Sequence, residues 1–160
     1  MAVPKSVIRI NKDGVKYISN VERCKYTIRE LSRAALRDVG KFIVRRCNDK
    51  ALKLTKGSLR KTNRIIKHKG ASKNKDLAFE YWARKRECDL QVGIRHNAWY
   101  GVEQELGSSK MKKLGILKNT TYENIPEIIK IESQYLSALK NEARALELIA
   151  EREYSSKQDE

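Results

Sequence analysis

No run of eighteen apolar residues occurs in the 160-residue chain, so nothing in it reads as a membrane-spanning helix. Its opening residues, MAVPKSVIRI, lack the apolar centre of a secretory signal. The expectation is a soluble chain made in the cytosol. Cysteine is scarce: Cys24, Cys47 and Cys88 are odd in number, widely spaced, and form no C-x-x-C pair. That argues against a zinc ribbon and for reduced, partly buried thiols. A domain of this size buries roughly 70% of its unfolded surface, so it folds without disulfides or metals. No H-E-x-x-H, G-x-S-x-G or P-loop motif is present, which removes the commonest signatures of metal, serine and phosphate chemistry. His68 and His96 have no acid at a helical i,i+3 or i,i+4 position, so neither suggests a metal pair. The sequence has no internal repeat, no RNP or KH motif and no clear helix-turn-helix.

Acidic residues are also in deficit. The chain has 35 Lys and Arg against 20 Asp and Glu, a net charge of +15. This speaks of partners rather than fold: nucleic acid, or an acidic face of another protein. The deficit is greatest over residues 50–75, which hold ten Lys or Arg and no acid. That stretch, with Gly57, Gly70 and Ser72, reads as an exposed, mobile loop whose charges repel one another, although IIKHKG (65–70) has the composition of a strand end.

Around this loop the pattern is periodic. VIRI (7–10) and VKYI (15–18) alternate about Asn11, Asp13 and Gly14, which predicts two short strands and a turn. Ser19 and Glu22 have the spacing of a capping box. Ile28, Leu31, Ala35, Val39, Phe42 or Ile43, and Cys47 then recur in steps of three and four, which predicts an amphipathic helix over residues 20–52. Gly40 lies inside it, tolerated at a cost of about 1 kcal/mol or placed for a close backbone approach. Residues 77–85 and 88–96 alternate about a turn at Arg86 and Glu87, and AWYGVEQEL (98–106) follows as a third strand of an antiparallel meander. Residues 107–121 read as a connection. A second long helix is expected over 124–153, with Asn124 at its cap, Pro126 and Glu127 in its first turn, and a stripe from Ile128 through Ile131, Tyr135 and Leu139 to Ile149. Residues 154–160 read as a disordered tail. The whole predicts an α+β domain: a small antiparallel sheet of three to five strands against the first helix, and the second helix alongside it or reaching out.

Two short elements carry a family resemblance: KLTKGSLRKT (53–62) after the first helix, and WYGVEQELGSS (99–109) after the sheet. The order of elements over residues 20–150 resembles the tail-completion, or head–tail joining, proteins of long-tailed phages and phage-like particles. Those proteins show a Thr-Gly-x-Leu-type turn after the first helix and a Tyr-Gly-x-x-x-Glu-x-Gly-like element. Here Lys56-Gly57-Ser58-Leu59 stands in the first place, without the usual Pro and Thr-Gly. Tyr100-Gly101, with Glu103 or Glu105 and Gly107, stands in the second. LGILKNTT (114–121) replaces the family's Pro-Phe-like segment, which leaves the subfamily open.

The resemblance implies a non-enzymatic virion protein, in the host cytoplasm before assembly. It implies a homo-oligomeric ring, often of six subunits, between the head-side connector and the tail-tube or tail-terminator protein, with no cofactor and no membrane. The candidate interaction residues are Lys56, Arg60, Lys61, Arg64, Lys67 and Lys69 of the basic loop, and Tyr100, Glu103 and Glu105 of the second element. In a ring, the loop either lines a lumen and touches DNA through its phosphates or folds when a neighbouring ring docks. On a strand, Glu103 and Glu105 share one sheet face and suit a position opposite Lys or Arg, while Trp99 and Tyr100 point to opposite faces. Asp76, Glu80, Glu87 and Asp89 are the carboxylates a nuclease would need, and surface strand charges is the simpler reading. The alternative to the ring is a free basic nucleic-acid-binding module, which Tyr81 and Trp82 would serve as stacking surfaces.

Overall fold

A computed structural model describes residues 4–5, 7–12, 15–56, 79–84, 87–96, 100–109 and 112–158. The chain divides into two compact units: unit 1 is Met1–Ala35 with Glu132–Glu160, and unit 2 is Leu36–Ile131. The architecture is α+β, as expected, with a long helix in the N-terminal half and small antiparallel sheets.

In unit 1, β1 (Val7–Lys12) and β2 (Val15–Ser19) pair antiparallel, with Ile8 opposite Ile18 and an irregularity between Ile8 and Ile10. Both expected strands are present. The helix α1 (Val21–Lys56) follows. Ser19 ends β2 and so is not the helix cap. Asn20 precedes the helix, and its carbonyl accepts the first bond, from Cys24 N at 2.9 Å. Glu22 turns instead to Lys25, at 3.1 Å. The buried apolar residues are Leu31, Ala34 and Ala35 of α1, Tyr135 and Ala138 of α4 (Ile125–Ala138), and Ala145 and Ile149 of α5 (Glu142–Gln158). Arg23 of α1 forms an ion pair with Glu142 of α5.

The single C-terminal helix expected over 124–153 is therefore two helices. The chain turns at Leu139–Asn141, where the Asn141 side chain accepts Ala143 N at 3.0 Å and its carbonyl accepts Ala145 N. An asparagine oxygen in this position starts a new helix by satisfying a donor that has no partner in the turn before it. α5 continues to Gln158, into the stretch read as a tail.

Unit 2 begins with the second half of α1, which continues to Lys56, past the expected start of the loop at residue 50. Val39, Ile43, Cys47 and Ala51, each four residues from the last, form its buried stripe. Against them pack Phe79 of β3 (Phe79–Ala83) and, half-buried, Leu90, Val92 and Ile94 of β4 (Leu90–Ile94). These strands pair antiparallel from Phe79 opposite Ile94 to Ala83 opposite Leu90. Period-two alternation puts Phe79, Tyr81 and Ala83 on the helix side and Glu80 and Trp82 outside. Gly40 is where helix and sheet approach: a Cβ there would lie 2.4 Å from the Tyr81 ring. The glycine is placed for packing.

The turn between the strands runs from Arg84 to Asp89. Arg84 N donates to the Asp89 carbonyl at 3.0 Å, and Arg84 Nε to Asp89 Oδ1 at 2.7 Å. The third strand of the expected meander is absent. Residues Tyr100–Leu106 form a helix, α2, so the described strands make two two-stranded sheets. The expected connection also contains a helix, α3 (Ile116–Glu123), whose Ile116 and Leu117 join the core.

Candidate interaction surface

The second family-like element becomes a helix and two glycine turns. α2 ends at Gly107, φ +85°, whose N–H bonds the Glu103 carbonyl at 2.8 Å. Glycine takes this left-handed conformation without the steric cost of a Cβ. Leu114 N and Gly115 N then return to the carbonyls of Gln104 and Glu105, at 2.9 and 3.2 Å. Gly115, φ +58°, opens α3 but has no side chain with which to cap it.

Glu105 supplies that cap. Its buried carboxylate accepts Ile116 N at 2.7 Å, Leu117 N at 2.8 Å and Lys118 N at 3.4 Å. Three N–H groups at a helix start thus meet a negative charge where the helix dipole favours one. The expectation that Glu103 and Glu105 share an exposed sheet face is corrected: on a helix they diverge, Glu103 exposed and Glu105 buried. Glu105 holds the element together, and Glu103 alone of the two stays available to a partner.

Tyr100 opens α2, and Lys56 closes α1. Arg60, Lys61, Arg64, Lys67 and Lys69 lie outside the described residues, as do His68, Asp76 and Trp99. The remaining carboxylates weighed for a metal are paired with arginines. Glu80 meets Arg95 at 3.4 Å, and Glu87 and Asp89 both meet Arg84. Hydrogen bonding to Arg84 holds the Asp89 carboxyl below its ordinary range. Among the described residues, no group of three His, Cys, Asp or Glu is arranged to hold a metal ion, and no helix is long and apolar enough to cross a membrane.

Cys24 and Cys88 are exposed, and Cys47 is buried. Burial pushes the Cys47 thiol up to about 11, opposed by the Thr120 hydroxyl and reinforced by the Glu105 carboxylate. It is a core side chain held as the neutral thiol.

Several large apolar side chains are exposed among the described residues. In unit 2 these include Trp82, Leu106 and Tyr122, each 65% exposed, and Ile129, 58%. In unit 1 they include Ile18, Ile28, Leu136 and Leu139. Ile18, Ile28 and Leu139 line a cavity of about 540 Å³ with Cys24, Thr27 and the Arg23–Glu142 pair. A second cavity, of about 560 Å³, lies in unit 2 between α1 and α3. Arg46, Asp49, Lys50, Lys53, Thr120, Glu123 and Asn124 line it.

Sequence reasoning missed the α1–α3 cavity because it placed α3 in a connection. The signal was present in the chain, since Arg46, Lys50 and Lys53 follow helical spacing. No protein-family model, curated protein or solved structure matches the chain.

Proposed function

We propose that the chain is a non-enzymatic structural subunit of an oligomeric ring in the neck of a long-tailed phage or phage-like particle. There it joins the head-side connector to the tail-tube or tail-terminator protein. The observation that carries this reading is the exposed apolar side chains of both units: Trp82, Leu106, Tyr122 and Ile129 in one, Ile18, Ile28, Leu136 and Leu139 in the other. Lone exposed apolar residues are ordinary, but this many large ones on so charged a chain suit burial by neighbouring subunits. Aromatic anchors such as Trp82 and Tyr122 are enriched at interfaces.

The Tyr100–Gly107 element supports the same reading. Its glutamate and glycine set a turn between helices, which is a scaffolding role. The resemblance of this element to tail-completion proteins supplies the rest: the ring, the two neighbours and the place in the virion.

The test is negative-stain imaging with light-scattering mass on purified protein, alone and mixed with its connector and tail-tube proteins. A closed ring, alone or formed on a partner, is the expected result and fixes the copy number. A monomer that ignores both partners and binds DNA tightly would overturn the neck reading in favour of a free nucleic-acid-binding module.

A further inference from the structure

The α1–α3 cavity of unit 2 has a charge arrangement that its own ion pairs do not complete. Three cations enter it from one side of α1, Arg46, Lys50 and Lys53, at steps of four and three residues. Glu123 of α3 neutralises one of them: both its oxygens accept Lys50 Nζ at 2.7 Å. Arg46 lies over the Phe42 ring at 5.3 Å and makes no ion pair among the described residues. Lys53 is exposed and makes no ion pair among the described residues. Asp49 is the one further acid among the described lining residues. Among the described lining residues there are therefore three cations to two acids, with one cation and one acid committed to each other.

We infer that this cavity is a phosphate-binding site for the backbone of duplex DNA, with Arg46 and Lys53 as the cations that meet it and Lys50 held in reserve by Glu123. The chemistry needed is modest. A phosphodiester has no shape demand beyond room for its oxygens, and an open cavity of about 560 Å³ provides it. Arg presents a fork of donors to those oxygens, and Lys a point charge. Binding of this kind is independent of base sequence and weakens steeply with salt. The inference rests on the neck reading only for the source of the DNA, which would be the strand passing through the ring.

The experiment measures binding of a fluorescent 20-base-pair duplex to the full chain by anisotropy, from low to physiological salt. Three variants are compared with the parent. Arg46→Ala with Lys53→Ala should weaken binding about tenfold at low salt and flatten the salt slope by about two, one for each phosphate that no longer meets a cation. Lys140→Ala with Arg144→Ala removes the same charge from exposed positions in unit 1 and should leave the slope unchanged. Glu123→Gln frees Lys50, so it should tighten binding severalfold and steepen the slope by about one.

The last variant guards against misfolding, because a damaged protein does not gain a specific interaction. Residues 57–78 are present in every variant and contribute equally. Equal slopes for the two double-alanine variants, or weaker binding by Glu123→Gln, would overturn the site. So would release of the DNA by polyglutamate as readily as by tripolyphosphate, which would mark a surface for acidic protein. None of these readouts depends on ring formation. Rings without the slope change would remove this site alone, and the slope change without rings would remove the neck reading alone.

Discussion

Four of the seven buried apolar side chains described in unit 1 are alanines: Ala34, Ala35, Ala138 and Ala145. In unit 2 the corresponding six include one, Ala51, beside Val39, Ile43, Cys47, Phe79 and Ile116. Alanine interiors let helices come close but bury little area each. Branched and aromatic interiors bury about 1.5–3 kcal/mol per large side chain. The polar support differs too. Unit 1 relies on a local cap, Asn141, and an exposed ion pair, Arg23–Glu142. Unit 2 relies on a buried carboxylate, Glu105, that reaches 11 to 13 residues along the chain. Unit 1 is thus packed by small side chains in close approach, and unit 2 by larger side chains around a buried carboxylate.

Substitutions can break this contrast in order of effect. Phe79→Ala should be the most damaging, at about 3–5 kcal/mol, because it empties a fully buried site in unit 2. Urea unfolding measures it, and a destabilisation below about 1 kcal/mol would contradict a volume-based core. Glu105→Ala should cost about 3 kcal/mol by stranding the N–H groups at the start of α3. Glu105→Gln keeps one acceptor and should cost less, a ranking the same unfolding experiment checks.

Unit 1 should respond to the opposite kind of change. Ala138→Leu adds volume at a fully buried position that lines neither cavity and should cost about 2 kcal/mol. Tolerance of leucine there would remove the steric argument. Asn141→Ala should cost about 1 kcal/mol by removing the cap. It should also lower hydrogen-exchange protection in the first turn of α5 before it does so elsewhere.

The smallest effect concerns acid. Arg84 holds the Asp89 carboxyl below the ordinary carboxylate range. The support it gives the β3–β4 turn is therefore complete above that range and disappears as pH falls through the lowered value. Carboxyl NMR shifts should show Asp89 titrating below the ordinary aspartate range, and Arg84→Gln should restore an ordinary midpoint. An ordinary midpoint in the parent protein would show that the pair does not persist in solution.

Much of this fold was legible in the chain. The alternation of VIRI and VKYI marks β1 and β2, and the four-residue recurrence from Val39 to Cys47 marks the buried side of α1. Phe79 and Tyr81 alternate as β3 does. The helix α2 was not legible. Tyr100, Gly101 and Val102 carry strand-like composition, and seven residues are too few for a 3.6-residue period to declare itself. α3 was hidden for a related reason: its first residue follows a glycine, and its cap comes from Glu105 rather than from a neighbour. The candidate surface was legible in part. Its cations were evident as a charge excess, but their meeting with Glu123 and Thr120 depends on α3 being a helix.

The sequence by itself determined the basic character of the chain, the long amphipathic helix, the paired strands and the α+β class. Each of these follows from periodicity or charge, which local residues specify without help. Tertiary structure decided that Tyr100–Leu106 is helical, that Glu105 is a buried cap, and that Gly40 admits the Tyr81 ring. It also decided that Lys50 is already paired with Glu123. Each of these depends on a partner remote in sequence, and burial is what makes such partners matter: a polar group away from water must find its bond wherever the fold puts one.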